Sequence, residues 1–255
     1  MQQESAVKNT ELIESMFKVG AHFGYSKSRR HPSMTPYIFG SKNKVEIFDL
    51  EKTTESLKEA KEFIRKCGKE GKKILFVGGK TEARDAVRNG AAAISMPYVA
   101  GRWIGGTITN FSEIKKRIGL LAELEGDREK GELSKFTKLE RLHIDREIED
   151  LDKTFGGLRL MKALPDVLFI VDTKQETIAV SEAKKAGIAI VGILNSDCNT
   201  KEASYHLIGN DAGMASIQFF VTEVVNAYQE GQRQAPQQTG SDESEQENSK
   251  GKTKE

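Results

Sequence analysis

The sequence predicts an α/β domain: a doubly wound parallel sheet of about five strands flanked by helices, with an inserted antiparallel helical hairpin. Three features of the 255 residues carry that prediction. Short β-rich runs are continuous enough in apolar residues to be buried on both faces, as strands of a parallel sheet are. Amphipathic stretches separate them, giving the alternation that a parallel sheet needs for its crossovers. One segment breaks the alternation with apolar residues spaced by threes and fours.

Val45 to Asp49, Ile74 to Val77, Val167 to Val171 and Ile188 to Leu194 are the strand candidates, and Pro97-Tyr-Val99 supplies a short fifth. Helical patterns cover Glu51 to Lys69, Thr81 to Ala92, Gln175 to Ala186 and Ala212 to Tyr228. From Phe111 the apolar positions run Phe111, Ile114, Ile118, Leu121, and later Ile144, Ile148, Leu151, Phe155, Leu158, which are the seams of two helices. Between them Gly126-Asp-Arg-Glu-Lys-Gly131 reads as a charged turn, so 110–156 is expected to be a coiled-coil hairpin. It interrupts an α/β domain of 1–109 and 157–228. The last stretch, 229–255, has no aliphatic or aromatic side chain larger than Ala and Pro, so burial cannot offset its ordering entropy and it is expected to be a disordered tail.

Lys and Arg number 39 against 38 Asp and Glu, so net charge alone points to no partner and the distribution must be read instead. Cys67 and Cys198 stand 131 positions apart with no metal-ligand spacing, which argues against a disulfide framework and favours a reducing, cytosolic compartment. The polar start, Met1 to Thr10, has no apolar core of a signal peptide, and no apolar run approaches membrane-spanning length, so no membrane partner is expected.

Catalytic patterns are scarce. His22, His31, His143 and His206 lie in separate segments, with no zinc-protease, nucleophile-elbow or P-loop motif. Gly78-Gly79-Lys80 sits between a strand and a helix start, where phosphate can bind, and is equally a tight βα turn. Asp172, Asn195 and Asp197 follow strands, as active-site acids or helix caps do. Together these features leave open a sugar-phosphate or nucleotide-binding enzyme.

The basic signal is more specific. Residues 21–45 hold Lys27, Arg29, Arg30, Lys42 and Lys44, with His22 and His31, and no Asp or Glu. Such local charge is the footprint of phosphate contacts, and Phe23, Tyr25, Tyr37 and Phe39 interleave it as residues that stack on bases or pack inward. Glycines, serines and prolines make the segment an extended arm rather than a helix. Ala100-Gly-Arg-Trp-Ile-Gly-Gly-Thr107 is a second candidate, placing Arg102 beside Trp103, the only tryptophan, where glycines allow close backbone approach. Trp103 is also suited to anchoring a junction in the core.

Val19-Gly-Ala-His-Phe-Gly-Tyr25, His31-Pro-Ser-Met-Thr-Pro-Tyr-Ile-Phe-Gly40 and Asp49-Leu-Glu-Lys-Thr53 resemble the opening signature of the bacterial small-subunit ribosomal protein two family. Gly101-Arg-Trp-Ile-Gly-Gly-Thr-Ile-Thr-Asn-Phe111, Leu164-Pro-Asp-Val-Leu-Phe-Ile-Val-Asp172 and Gly209-Asn-Asp211 are similar to its later motifs, in the same order. The resemblance spans Leu12 to Tyr228. It implies a flavodoxin-like domain with a protruding coiled-coil hairpin and a structural role in the ribosome, without enzymatic activity. The partners it implies are small-subunit ribosomal RNA and neighbouring ribosomal proteins, including the large S-one protein that captures messenger RNA.

Some relatives hold zinc with a His and Asp residues of these segments. Here His22 and Asp211 persist, while Asn195 and Ala212 stand where relatives carry acids, so no metal and no other cofactor is expected even with Cys198 nearby. On this reading the RNA-contacting residues are Lys27, Arg29, Arg30, His31, Lys42, Lys44, Arg102 and Trp103, with Lys115, Lys116 and Arg117 on the hairpin. The ribosome is expected to be cytoplasmic, with an organellar one left open.

Overall fold

The continuous apolar runs form the middle of a five-stranded parallel sheet. The computed structural model describes residues 2–235, with side chains from residue 9 onward. β4 (Ile74–Val77), β5 (Tyr98–Val99), β6 (Val167–Val171), β7 (Ala189–Leu194) and β8 (Tyr205–Ile208) lie in the order β5-β4-β6-β7-β8. Register runs Ile74 to Val167 between β4 and β6 and Val167 to Ala189 between β6 and β7. Alternate side chains of each strand point to opposite faces. Ile74, Phe76, Val167, Phe169, Val191 and Ile193 therefore enter one core, and Leu75, Val77, Leu168, Ile170 and Ile190 enter the other. This two-sided burial is the reason the runs are apolar without alternation.

The first core is closed by α1 (Gln2–Lys18), α2 (Leu50–Lys69), α3 (Arg84–Ala93) and α7 (Met214–Gln234). The second is closed by α4 (Phe111–Glu129), α5 (Lys138–Phe155) and α6 (Thr177–Lys185). Asp49 starts α2 by accepting the Glu51 amide at 3.1 Å, and Thr137 with Glu140 forms a reciprocal capping box at the start of α5. The two helices expected in 110–156 are both present and pack on one another. α4 continues through Gly126, however, and the chain turns at Gly131, whose φ of 74° suits glycine.

Three expectations are revised. The Val45 strand does not join the main sheet: β1 (Phe23–Ser26), β2 (Ile38–Lys42) and β3 (Val45–Phe48) form a separate antiparallel sheet, β1-β3-β2. The fifth strand of the main sheet is instead β8, whose four residues include the polar His206 and give little hydrophobic signal. Residues 229–234, expected in the tail, continue α7, because Gly231 packs on the Arg65 carbonyl and Arg65 pairs with Glu230 at 2.7 Å. The rest of the expected tail, 236–255, lies outside the described residues. No helix among the described residues is long and apolar enough to cross a membrane.

The small sheet sits over the carboxyl ends of β7 and β8. Met34 and Phe48 form a third core with Leu194, Cys198 and Ile208. Tyr25 donates its amide to Ser196 Oγ at 2.9 Å, and His31 donates its own to the Ser196 carbonyl at 2.8 Å. The basic segment is thereby an ordered arm fixed to the main domain.

Candidate functional site

The arm divides its cations into two groups. Arg29 donates to Asp197 Oδ2 at 3.1 Å and lies 4.2 Å from the centre of the Tyr25 ring. Arg30 pairs at 3.2 Å with Glu46, whose side chain is 1% exposed. Both arginines neutralise acids that the fold buries, a coupling a local reading of 21–45 does not reveal because Glu46 and Asp197 lie outside it. His31 Nδ1 accepts the Ser33 amide at 3.2 Å and caps the turn Pro32–Tyr37. Lys27, Lys42 and Lys44 are exposed and have no ion-pair partner among the described residues. Lys42 ends β2 and Lys44 is the second residue of the two-residue turn of the β2–β3 hairpin, where Asn43 and Lys44 have φ of 53° and 67°. These positive values fit the turn type whose twist matches a hairpin, although glycine is usual at the second position.

Behind the arm, the Gly78-Gly79-Lys80 turn meets the ends of β6 and β7. Lys80 Nζ lies 2.7 Å from both Asp172 Oδ2 and Asp211 Oδ2 and donates to the Tyr25 hydroxyl at 3.3 Å. Asn195 Nδ2 donates to Asp211 Oδ1 at 2.7 Å. Burial works against the Lys80 charge, but Asp211 and Asp172 outweigh it and hold the ammonium above its ordinary pKa. Burial pushes Asp211 up, whereas at Asp172 it is outweighed by Lys80 and by hydrogen bonds, which hold that carboxyl down. Gly79 donates its amide to Glu176 Oε1 at 3.0 Å, and burial pushes the Glu176 carboxyl up.

A cavity of about 330 Å³ opens here, lined by Tyr25, Gly79, Lys80, Thr81, Glu82, Gln175 and Ala212. Its chemistry is wrong for a phosphate. The glycine amide already has a carboxylate acceptor, and the lysine is matched by two more. Asp172 also accepts the Lys174 and Gln175 amides at 2.9 and 3.1 Å, so it acts as a turn cap as well as an ion-pair partner. The fold thus answers the enzyme alternative with a tight, internally satisfied βα turn.

Zinc fits no better. Asp172, Cys198 and Asp211 present ligand atoms within 4.8 Å of one another, but the Lys80 ammonium lies against both carboxylates. Burial pushes the Cys198 thiol up to about 12, so zinc, which takes the thiolate, would have to drive off that proton as well as the Lys80 ammonium. His22 is not part of that group; its ring stacks on Phe17 at 4.4 Å and packs at a tilt against Phe23 at 4.0 Å.

The glycine-rich segment is organised by a residue that the sequence reading missed. Glu182, on α6, accepts the amides of Gly106, Ile108 and Thr109 at 2.7, 3.0 and 3.1 Å. It also accepts the Thr109 hydroxyl at 3.2 Å and Trp103 Nε1 at 3.3 Å. Burial raises the Glu182 carboxyl, but these donors outweigh it and hold the pKa below the ordinary range. The available signal was an acid inside the apolar register of α6, beside Ala179, Val180 and Ala183. Trp103 is 5% exposed and packs in the second core, so its ring cannot stack on a base and it leaves the set of proposed RNA contacts. Arg102 remains exposed after β5, at the opposite edge of the sheet from the arm. Lys115, Lys116 and Arg117 are exposed on α4, Lys116 pairing with Glu113 at 2.7 Å.

A family model described as Ribosomal protein S2 matches residues 16–231. The small ribosomal subunit protein uS2 of Roseiflexus sp. (strain RS-1) is 41% identical over 220 residues, covering 86% of this chain and 84% of that protein. That of Coprothermobacter proteolyticus is 40% identical over 219 residues, with 86% and 82% covered. That of a Nitratiruptor species is 41% identical over 233 residues, with 91% and 87% covered.

Proposed function

Since the chain belongs to the ribosomal protein S2 family, and so is a small-subunit ribosomal protein and not an enzyme, we propose that it binds small-subunit ribosomal RNA through its basic arm. The observation that carries this reading is the exposed trio Lys27, Lys42 and Lys44, held on an ordered arm with no acid beside them between residues 21 and 45. Lysines without internal partners neutralise phosphates and release counterions, which gives affinity that falls steeply with salt. Arg102, Lys115, Lys116 and Arg117 would add contacts from the other sheet edge and from α4. Residues 110–156 act as an inserted hairpin that meets RNA and neighbouring ribosomal proteins, the S-one protein among them. The compartment proposed is the cytoplasm.

Rebinding to small subunits depleted of this protein, measured across a potassium chloride series, tests the reading. Replacing Lys27, Lys42 and Lys44 together by Ala should weaken rebinding and reduce the log–log salt slope by about 2 to 3, at about 0.7 to 0.9 per phosphate contact. An unchanged slope would contradict the assignment. Arg29 and Arg30 are unsuitable for this test, because removing Arg30 leaves the buried Glu46 without its counter-charge and removing Arg29 leaves the buried Asp197 with Lys174 alone.

A further inference from the structure

The aromatic residues of the arm differ in what their rings have to do. Phe23 packs at a tilt against the His22 ring, 4.0 Å between centroids. Tyr25 lies beneath the Arg29 guanidinium, and its hydroxyl accepts from Lys80. The Tyr37 hydroxyl is hydrogen-bonded to His206 Nε2 at 3.0 Å. Phe39 has no ring or cation contact among the described residues and is 81% exposed, more than any other large apolar side chain described.

The exposure is built into the backbone. In the β2–β3 ladder Ile38 pairs with Phe48 and Gly40 with Ile47, so Phe39 is the extra residue of a β-bulge, a device that re-aims a side chain out of the regular pleat. Gly40 beside it offers open space, with nothing within 4 Å of where a Cβ would stand. Three and five residues further on come Lys42 and Lys44, and Glu46, the first acid after them, is buried against Arg30.

We propose that Phe39 is a stacking platform for an unpaired nucleobase of the ribosomal RNA, with Lys42 and Lys44 on the neighbouring phosphates. An unshielded ring on a paired strand, followed in the chain by two exposed lysines, suits a polyanion whose bases carry π faces better than it suits an apolar protein pocket. This inference rests on the RNA-binding reading of the arm.

Its test uses the full chain, depleted small subunits and the variants F39A, F39L and F39W. F39A should weaken rebinding about 5- to 150-fold, the range that loss of one base–aromatic stack gives, with the salt slope unchanged. F39L, apolar but without a π face, should lose nearly as much. F39W should bind like the wild type, show emission quenched on binding, and cross-link to RNA under ultraviolet light. Wild-type affinity in F39A overturns the proposal. So does rescue by F39L, or cross-linking of F39W to protein alone, either of which places the ring in an apolar protein pocket. Failure of the RNA reading itself shows separately, as a salt slope that the lysine replacements leave unchanged.

Discussion

Glu182 shows how one buried side chain fixes a whole loop. Its carboxylate satisfies backbone donors from Gly106 to Thr109 and the Trp103 indole, and so holds the loop that carries Arg102. Replacing Glu182 by Ala leaves those donors without an acceptor, and unfolding by denaturant should show a loss of about 3 kcal/mol or more, since each orphaned buried group costs about 1–3 kcal/mol. Replacing it by Gln should cost less and should change the acid response. The folded-state pKa is depressed, so the stabilisation is present above the unfolded value of about 4.3 and disappears as pH falls through the folded value. The stability gap between wild type and E182Q should therefore narrow on moving from pH 7 to pH 3, and a constant gap would contradict the assignment. At this scale the sequence displayed the cations of the arm but not their destinations. Arg29 and Arg30 read like Lys27, and only the fold brings Asp197 and Glu46 to them.

Between elements, the closest approach is that of α2 and α7. A Cβ on Gly68 would overlap the Tyr228 carbonyl oxygen, and one on Gly231 would overlap the Arg65 carbonyl oxygen. Helix propensity alone predicts that Gly68→Ala stabilises by about 1 kcal/mol. Packing predicts the opposite, because overfilling costs about 1–3 kcal/mol and backbone atoms cannot move aside as a flexible side chain does. We expect Gly68→Ala to lower the thermal midpoint by about 2–8 °C, corresponding to a net loss of about 1–2 kcal/mol; a raised midpoint would show that the helices separate without cost. Strands β4, β6 and β7 were legible because burial on both faces demands uninterrupted apolar residues. β8 was not legible, since Tyr205 and His206 are only half-buried at the sheet edge. The alternation Val45, Glu46, Ile47, Phe48 marked a strand but could not say to which sheet it belonged, because Glu46 becomes a buried residue only once Arg30 reaches it.

At the scale of the molecule, a parallel sheet whose strand order reverses between β4 and β6 opens a crevice at its carboxyl edge, the place where such folds usually take a small ligand. Here the polar groups of the crevice are paired from within, Glu176 with the Gly79 amide and Lys80 with Asp172 and Asp211, while the arm covers the ends of β7 and β8. The fold class and the basic arm could be read from the residues; the pairing within the crevice depends on side chains from separate segments and could not.

The most direct test of this account places a chemical probe on the arm. Cys67 and Cys198 are buried, and burial pushes their thiols up to about 11 and about 12, so a single cysteine introduced as Ser41→Cys on β2 can be labelled selectively with an iron chelate. Hydroxyl radicals generated from position 41 after rebinding to depleted small subunits should cut the ribosomal RNA at discrete sites. Subunits that bind the labelled protein yet show no cleavage above that with unlabelled protein would contradict the claim that the arm is the RNA-binding surface.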